Sequence, residues 1–222
     1  AQAIRIRREI KRQAPADREG GGSLRGPAGR GAEGGVPGNP PGQRAGADAR
    51  QSARQAERHY VDVLRRIVRF VEARDAYNKG HSERVGDLSE RLGRRLGLDE
   101  QACASLGLAG ELHDLGLLAI SDRLLNERSR LGVDGLERVK EHPEVAYEVL
   151  RPLASLGGPV LQAVRHHHER MNGTGYPTGL AQDDIPRPAR ILAVADAYDA
   201  MTHDRPHRPA LPPAAAVAEL RR

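Results

Sequence analysis

From about residue 52 onward, apolar residues recur at steps of three and four. Tyr60, Val63, Ile67 and Phe70-Val71 form one stripe; Val85, Leu88, Leu92 and Leu96 form a second, ended by Gly97. Such steps gather side chains on one side of a 3.6-residue helix, so each stripe predicts an amphipathic helix with that face turned inward. Asp99 stands where an N-cap is needed, ahead of a third helix whose inward face is Ala102, Leu106, Ala109 and His113. Pro143 suits the first turn of a helix running to Leu150. Residues 159–168 and about 187–202 complete the helical set, and the run Asn172 to Gly179 between them is dense in turn formers and predicts a loop. No stretch alternates as a strand does, so the expected fold class is all-α. Ala214 to Leu220 begins another amphipathic helix and stops, from which a domain truncated at its C-terminus is expected.

The chain before this domain has a different texture. Residues 13–50 are rich in Gly, Pro, Arg and Ala and poor in large apolar residues, so they cannot bury enough surface to offset ordering and are expected to be a disordered linker. Residues 1–12 read as the end of an upstream helix, and the start at Ala1 rather than Met fits a piece of a longer protein. The domain is expected over 52–222.

Charge follows the same division. Residues 1–50 hold 10 Lys/Arg against 5 Asp/Glu, while the other 172 hold 25 of each, so the whole net +5 sits in the tail. A solvated tail explains this better than a nucleic-acid surface, and no specific DNA or RNA partner is expected. No apolar run approaches the roughly 18 residues of a membrane span, no secretory pattern is present, and Cys103 is the one cysteine. A cytoplasmic location is expected.

All nine histidines lie between His59 and His207, inside the domain. His113 continues an apolar face and should point inward, either as a core histidine bonded to a carbonyl or as a ligand. Asp196 lies within Ile191-Leu192-Ala193-Val194-Ala195-Asp196-Ala197-Tyr198, a helix apolar on nearly every side. A carboxylate buried there needs a cation, a metal or a set of donors. His167 and His168 follow the stripe Val160, Leu161 and Val164; on a helix they would diverge by about 100°, serving two ions or leaving one ring to orient. His166 reads as a bystander. His81 and His142 stand at helix starts. Mixed imidazole and carboxylate donors suit Mn, Fe, Co, Ni or Zn, and one cysteine excludes a thiolate site.

Five ordered stretches carry a family resemblance: Arg74 to Val85, then Leu112-His113-Asp114-Leu115-Gly116, Glu141-His142-Pro143, His167 to Pro177 with its Gly175-Tyr176-Pro177, and Ile191 to Asp199. Over about residues 60–210 the chain resembles the HD-GYP family of the HD-domain metal-dependent phosphohydrolases. The resemblance implies a helical bundle with a Gly-Tyr-Pro loop around two divalent transition-metal ions, Fe or Mn. It implies His81, His113, Asp114, His142, His167, His168 and Asp196 as ligands, Asp114 bridging, and His113 and Asp114 as the catalytic centre. Tyr176 would border a guanine, and Arg205 and Arg208 would meet phosphates, although surface arginines in a Pro-rich loop fit those two equally well.

The implied activity is hydrolysis of cyclic di-GMP to a linear dinucleotide or GMP by a hydroxide bridging the cations. An upstream sensory or receiver domain and other signalling proteins are the implied partners. A third metal, held in some members by a Glu four residues before the first His, is not expected, because Tyr77 stands there. Three departures touch the substrate side: Leu117 replaces the Lys of the HDxGK motif, Asn172 an Asp, and His207 a Tyr. They leave open a catalytically weak nucleotide- or partner-binding module, or a phosphohydrolase for another nucleotide.

Overall fold

The computed structural model describes residues 41–73, 78–121, 124, 132–205 and 208–221. Among the described residues, α-helices follow in this order: α1 (Pro41–Glu72), α2 (His81–Arg95), α3 (Glu100–Leu112), α4 (Val133–Lys140), α5 (His142–Leu150), α6 (Gly157–His166), α7 (Arg187–Thr202) and α8 (Pro213–Leu220). A 3₁₀ turn, Leu115–Ala119, follows α3. Among the described residues there is no strand, and only two isolated bridges occur, Asn172 to Ala181 and Arg205 to Arg208. The all-α expectation holds.

The sequence signals explain where the helices stop and start. Asp99 caps α3, its Oδ1 accepting from the Ala102 N–H at 2.7 Å. Pro143 lies in the first turn of α5, where a missing N–H costs no helical hydrogen bond. α2 packs between α3 and α7, α6 lies across α3 and α7, and α5 rests on the 3₁₀ turn and α6. Their shared core is aliphatic: Val85, Leu112, Leu150, Val160, Val164 and Leu192 are all essentially inaccessible. Each such side chain contributes roughly 1.5–3 kcal/mol, which lets a chain without Trp close a core around a polar centre.

Two expectations need correcting at α1. The helix begins at Pro41, so residues 41–50 are helical rather than linker; the readings of 1–12 and 13–40 lie outside the described residues. The stripe is also turned. Val61 and Val68 are buried with Leu64 packed beside them, while Tyr60 is 61% exposed and Phe70 72%. Both stripes keep helical spacing and sit one residue apart, so periodicity could not tell which of them meets the domain.

Candidate metal centre

The centre is assembled mainly from helix ends. His81 is the first residue of α2 and His142 of α5, His113 and Asp114 follow the last turn of α3, and His167 and His168 follow that of α6. Asp196 projects from the middle of α7. Near a helix end, a histidine reaches a carbonyl three residues back. Nδ1 of His113 lies 2.7 Å from the Gly110 carbonyl, that of His142 2.7 Å from Val139, and that of His167 2.7 Å from Val164.

A carbonyl oxygen only accepts, so each of these Nδ1 atoms carries the proton. The neutral ring then has a bare lone pair at Nε2, and these lone pairs are aimed at one another. His142 Nε2 and His167 Nε2 are 3.4 Å apart. His142 Nε2 is 3.4 Å from Asp114 Oδ1, and His113 Nε2 is 3.4 Å from Asp114 Oδ2. His81 Nε2 is 3.3 Å from Asp196 Oδ1 and 3.9 Å from Asp114 Oδ2. The Nε2 lone pairs of His113, His142 and His167, gathered with the Asp114 oxygens at such distances, repel unless a cation lies among them. The donor set fits a metal ion on that ground, and its nitrogen and oxygen atoms suit a divalent transition metal.

The ligand atoms fall into two groups. Those of His81, His113 and Asp114 lie within 4.8 Å of one another, and so do those of His142, His167 and His168. Asp114 stands between them, one oxygen towards each. His167 and His168 thus join the same group, which corrects the expectation that they diverge. The chain leaves helical order at His167, and their ring centroids are 4.0 Å apart. Cys103 is buried in α3 and donates to the Leu98 carbonyl, away from the centre.

The HD-domain family model matches residues 66–222, well over half of the chain. The chain belongs to the HD-domain family. It is 41% identical over 134 residues to a cyclic di-GMP phosphodiesterase of Pseudomonas aeruginosa, covering 60% of this chain and 32% of that protein. It is 33% identical over 144 residues to a 3'3'-cGAMP-specific phosphodiesterase of Vibrio cholerae, covering 65% of this chain and 31% of that protein. The chain therefore spans about a third of the length of these curated relatives. A solved structure of Bd1817, an HDG"Y"P protein of Bdellovibrio bacteriovorus, shares the fold with a TM-score of 0.57 at 23% identity, covering 75% of this chain and 57% of that one.

The electrostatics of the HD-domain centre are uneven. For His81, burial is the largest influence and opposes charge, yet Asp196, Asp199 and Asp114 outweigh it and raise the imidazole to about 10. Burial drives His167 well below its ordinary value, and burial with the nearby His142 lowers His168 to about 4. Asp114 and Asp196 are held below the usual carboxylate range: burial works against this, but the surrounding histidines prevail.

Residues to which the sequence reading assigned no role hold the donors in place. Asp199 accepts from His81 Nδ1 at 2.7 Å and from Arg84 Nε at 2.7 Å, which locks the His81 ring and ties α2 to α7. Glu169 accepts from the Thr178 N–H at 2.8 Å and hydroxyl at 2.7 Å, closing the Gly-Tyr-Pro loop. Spacing was the available signal: Asp199 follows Asp196, and Arg84 follows His81, by three residues on one helix. Two glycines permit close approach. A Cβ on Gly116 would meet the His142 carbonyl oxygen at 1.9 Å, and one on Gly175 would meet the Arg170 nitrogen at 2.3 Å.

The residues expected on the substrate side have mixed surroundings. The Tyr176 ring is 4.7 Å from that of His168, tilted by 31°, and burial raises its phenol so that it stays neutral. Arg205 bonds Asn78, whose carbonyl accepts the His81 N–H at 2.9 Å. The Arg208 guanidinium caps the end of α7, donating to the carbonyls of Ala200 at 2.7 Å and Met201 at 3.1 Å. Leu117 is half-buried in the 3₁₀ turn, its N–H on the Asp114 carbonyl. Asn172 accepts from the Thr174 hydroxyl at 2.8 Å within the loop, and His166 is buried, its Nδ1 3.4 Å from the Thr178 hydroxyl. Tyr77 and His207 lie outside the described residues.

Proposed function

We propose that this domain is a metal-dependent phosphodiesterase that hydrolyses cyclic di-GMP to a linear dinucleotide or GMP, with two Fe or Mn ions. The observation that carries the reading is the set of Nε2 lone pairs gathered about Asp114, each fixed by a partner on Nδ1. His81, His113 and Asp196 would hold one ion, His142, His167 and His168 the other, and Asp114 would bridge them. Bound cations supply Lewis acidity towards the phosphodiester and an activated water.

The protein's own residues bind and orient. Asp199 holds the His81 ring, Glu169 and Thr178 hold the loop, and neutral Tyr176 offers a flat face beside His168 for a guanine. Arg205 would face the phosphates, and Arg208, its guanidinium held by the end of α7, would serve the phosphate side by steadying the bridge that it shares with Arg205. In the cell the domain would act in the cytoplasm under an upstream receiver or sensory domain.

A second substrate reading rests on the 33% identity to the 3'3'-cGAMP-specific relative. Purified protein loaded with Mn or Fe(II) should release linear product from cyclic di-GMP, followed by chromatography beside 3'3'-cGAMP. Turnover of 3'3'-cGAMP alone selects the second reading. No turnover of either at full metal occupancy leaves a binding module. Leu117→Lys restores a charge-assisted phosphate contact, and a gain of about 10- to 100-fold in kcat/KM is expected.

A further inference from the structure

The apolar arc of α1 is wider than the domain covers. Val61, Leu64 and Val68 face the core, while Tyr60, Val63, Ile67 and Phe70, on the neighbouring side, are 61%, 37%, 37% and 72% exposed. The chain's one Phe is therefore spent on the outside of a protein whose core is aliphatic. The exposed residues are separated by three, four and three positions, which is the a/d spacing of a coiled-coil seam; the buried set lies on the adjoining b and e positions. No charged residue interrupts the stripe. We propose that this stripe pairs in register and parallel with the same stripe of a second copy of the chain.

Three features favour a like helix as the occupant. A heptad seam is matched best by another heptad seam, and an identical helix supplies one with the same layers. Charge selects the direction. An antiparallel pairing of these four layers would bring Arg66 against the second copy's Arg66, whereas the parallel one brings it to Val71 and sets Ser52 beside Glu57. The area is also adequate. Two aromatics and two aliphatics from each copy, with the flanking stems, come to on the order of 1,000 Å², the lower bound of a specific interface. A reversible dimer is the expected result.

The pairing would also be felt at the metal centre. α1 ends at Glu72, whose carboxylate accepts the Ser82 N–H at 2.7 Å, so what holds α1 also holds the first turn of α2, where His81 stands.

The test is sedimentation of the full chain over a range of concentrations, with circular dichroism to check folding. The natural protein should pass from monomer to dimer as concentration rises, and Ile67→Asp and Phe70→Asp should each weaken association at least tenfold while staying helical. Val63→Cys, with buried Cys103 left in place, should cross-link to itself under mild oxidation. A protein monomeric at every concentration overturns the proposal, as does a dimer indifferent to both aspartates. Cross-linking seen only between mixed Val63→Cys and Ile67→Cys chains overturns the parallel arrangement.

Discussion

The two halves of the metal centre differ in charge. One gathers His81 and His113 with Asp114 and Asp196, and its carboxylates hold a proton on His81 up to about 10. The other gathers three imidazoles with one oxygen of Asp114 in reach, and burial keeps His167 and His168 neutral, His168 to about 4. A carboxylate-rich half attracts any cation, protons included, while His167 and His168 offer lone pairs without competition from protons. The difference teaches that neighbouring ligand groups need not load alike, and Asp114, with one oxygen towards each, stands where the two would be coupled.

Breaking the coupling gives the largest effect. Asp114→Ala should remove metal from both halves and lower kcat by at least about a thousandfold, read by elemental analysis beside a turnover assay. Retention of two ions per chain would contradict a bridging role. Asp199→Asn should act on one half. It keeps the shape but loses the charge that orients His81 and pairs with Arg84, so affinity for the first ion should fall about 10- to 100-fold. Titration at limiting metal should then show one strong site instead of two.

The smallest effect is graded with pH. Below about 10 the His81 imidazole holds a proton that a metal ion must displace, so loading of its half should release a proton and weaken by about tenfold for each unit that pH falls, across pH 6 to 9. Above about 4 His168 is already neutral, and burial holds His167 neutral too, so these two ligands should release no proton on loading over that range. Calorimetry in buffers of different ionisation enthalpy counts the protons released. Equal release from both sites would erase the distinction between them.

Much of this centre was legible before any coordinates. His113 and Asp196 interrupt apolar helix faces, and such residues need a reason to be buried. Asp99 and Pro143 marked helix starts, and they stand there. For Asp199 spacing from Asp196 was the one signal, and it could not say that the carboxylate meets His81, because one more carboxylate on α7 looks the same whether it faces water or a ring. The joining of His167 and His168 in one group was hidden by an assumption of continuous helix; α6 ends at His166 and the next residues turn. On α1 the phase was hidden because two apolar stripes overlap.

By itself the sequence determined most of the helices, the starts at Asp99 and Pro143 and which side chains could serve as donors, since these depend on local periodicity and residue chemistry. Only tertiary structure decided which lone pairs meet, which stripe of α1 stays outside, and how the donors divide into a carboxylate-rich half and an imidazole half. Those outcomes depend on distances between residues far apart in the chain, such as His81 and Asp199, and on the loss of water around them. Neither is encoded in spacing along one helix.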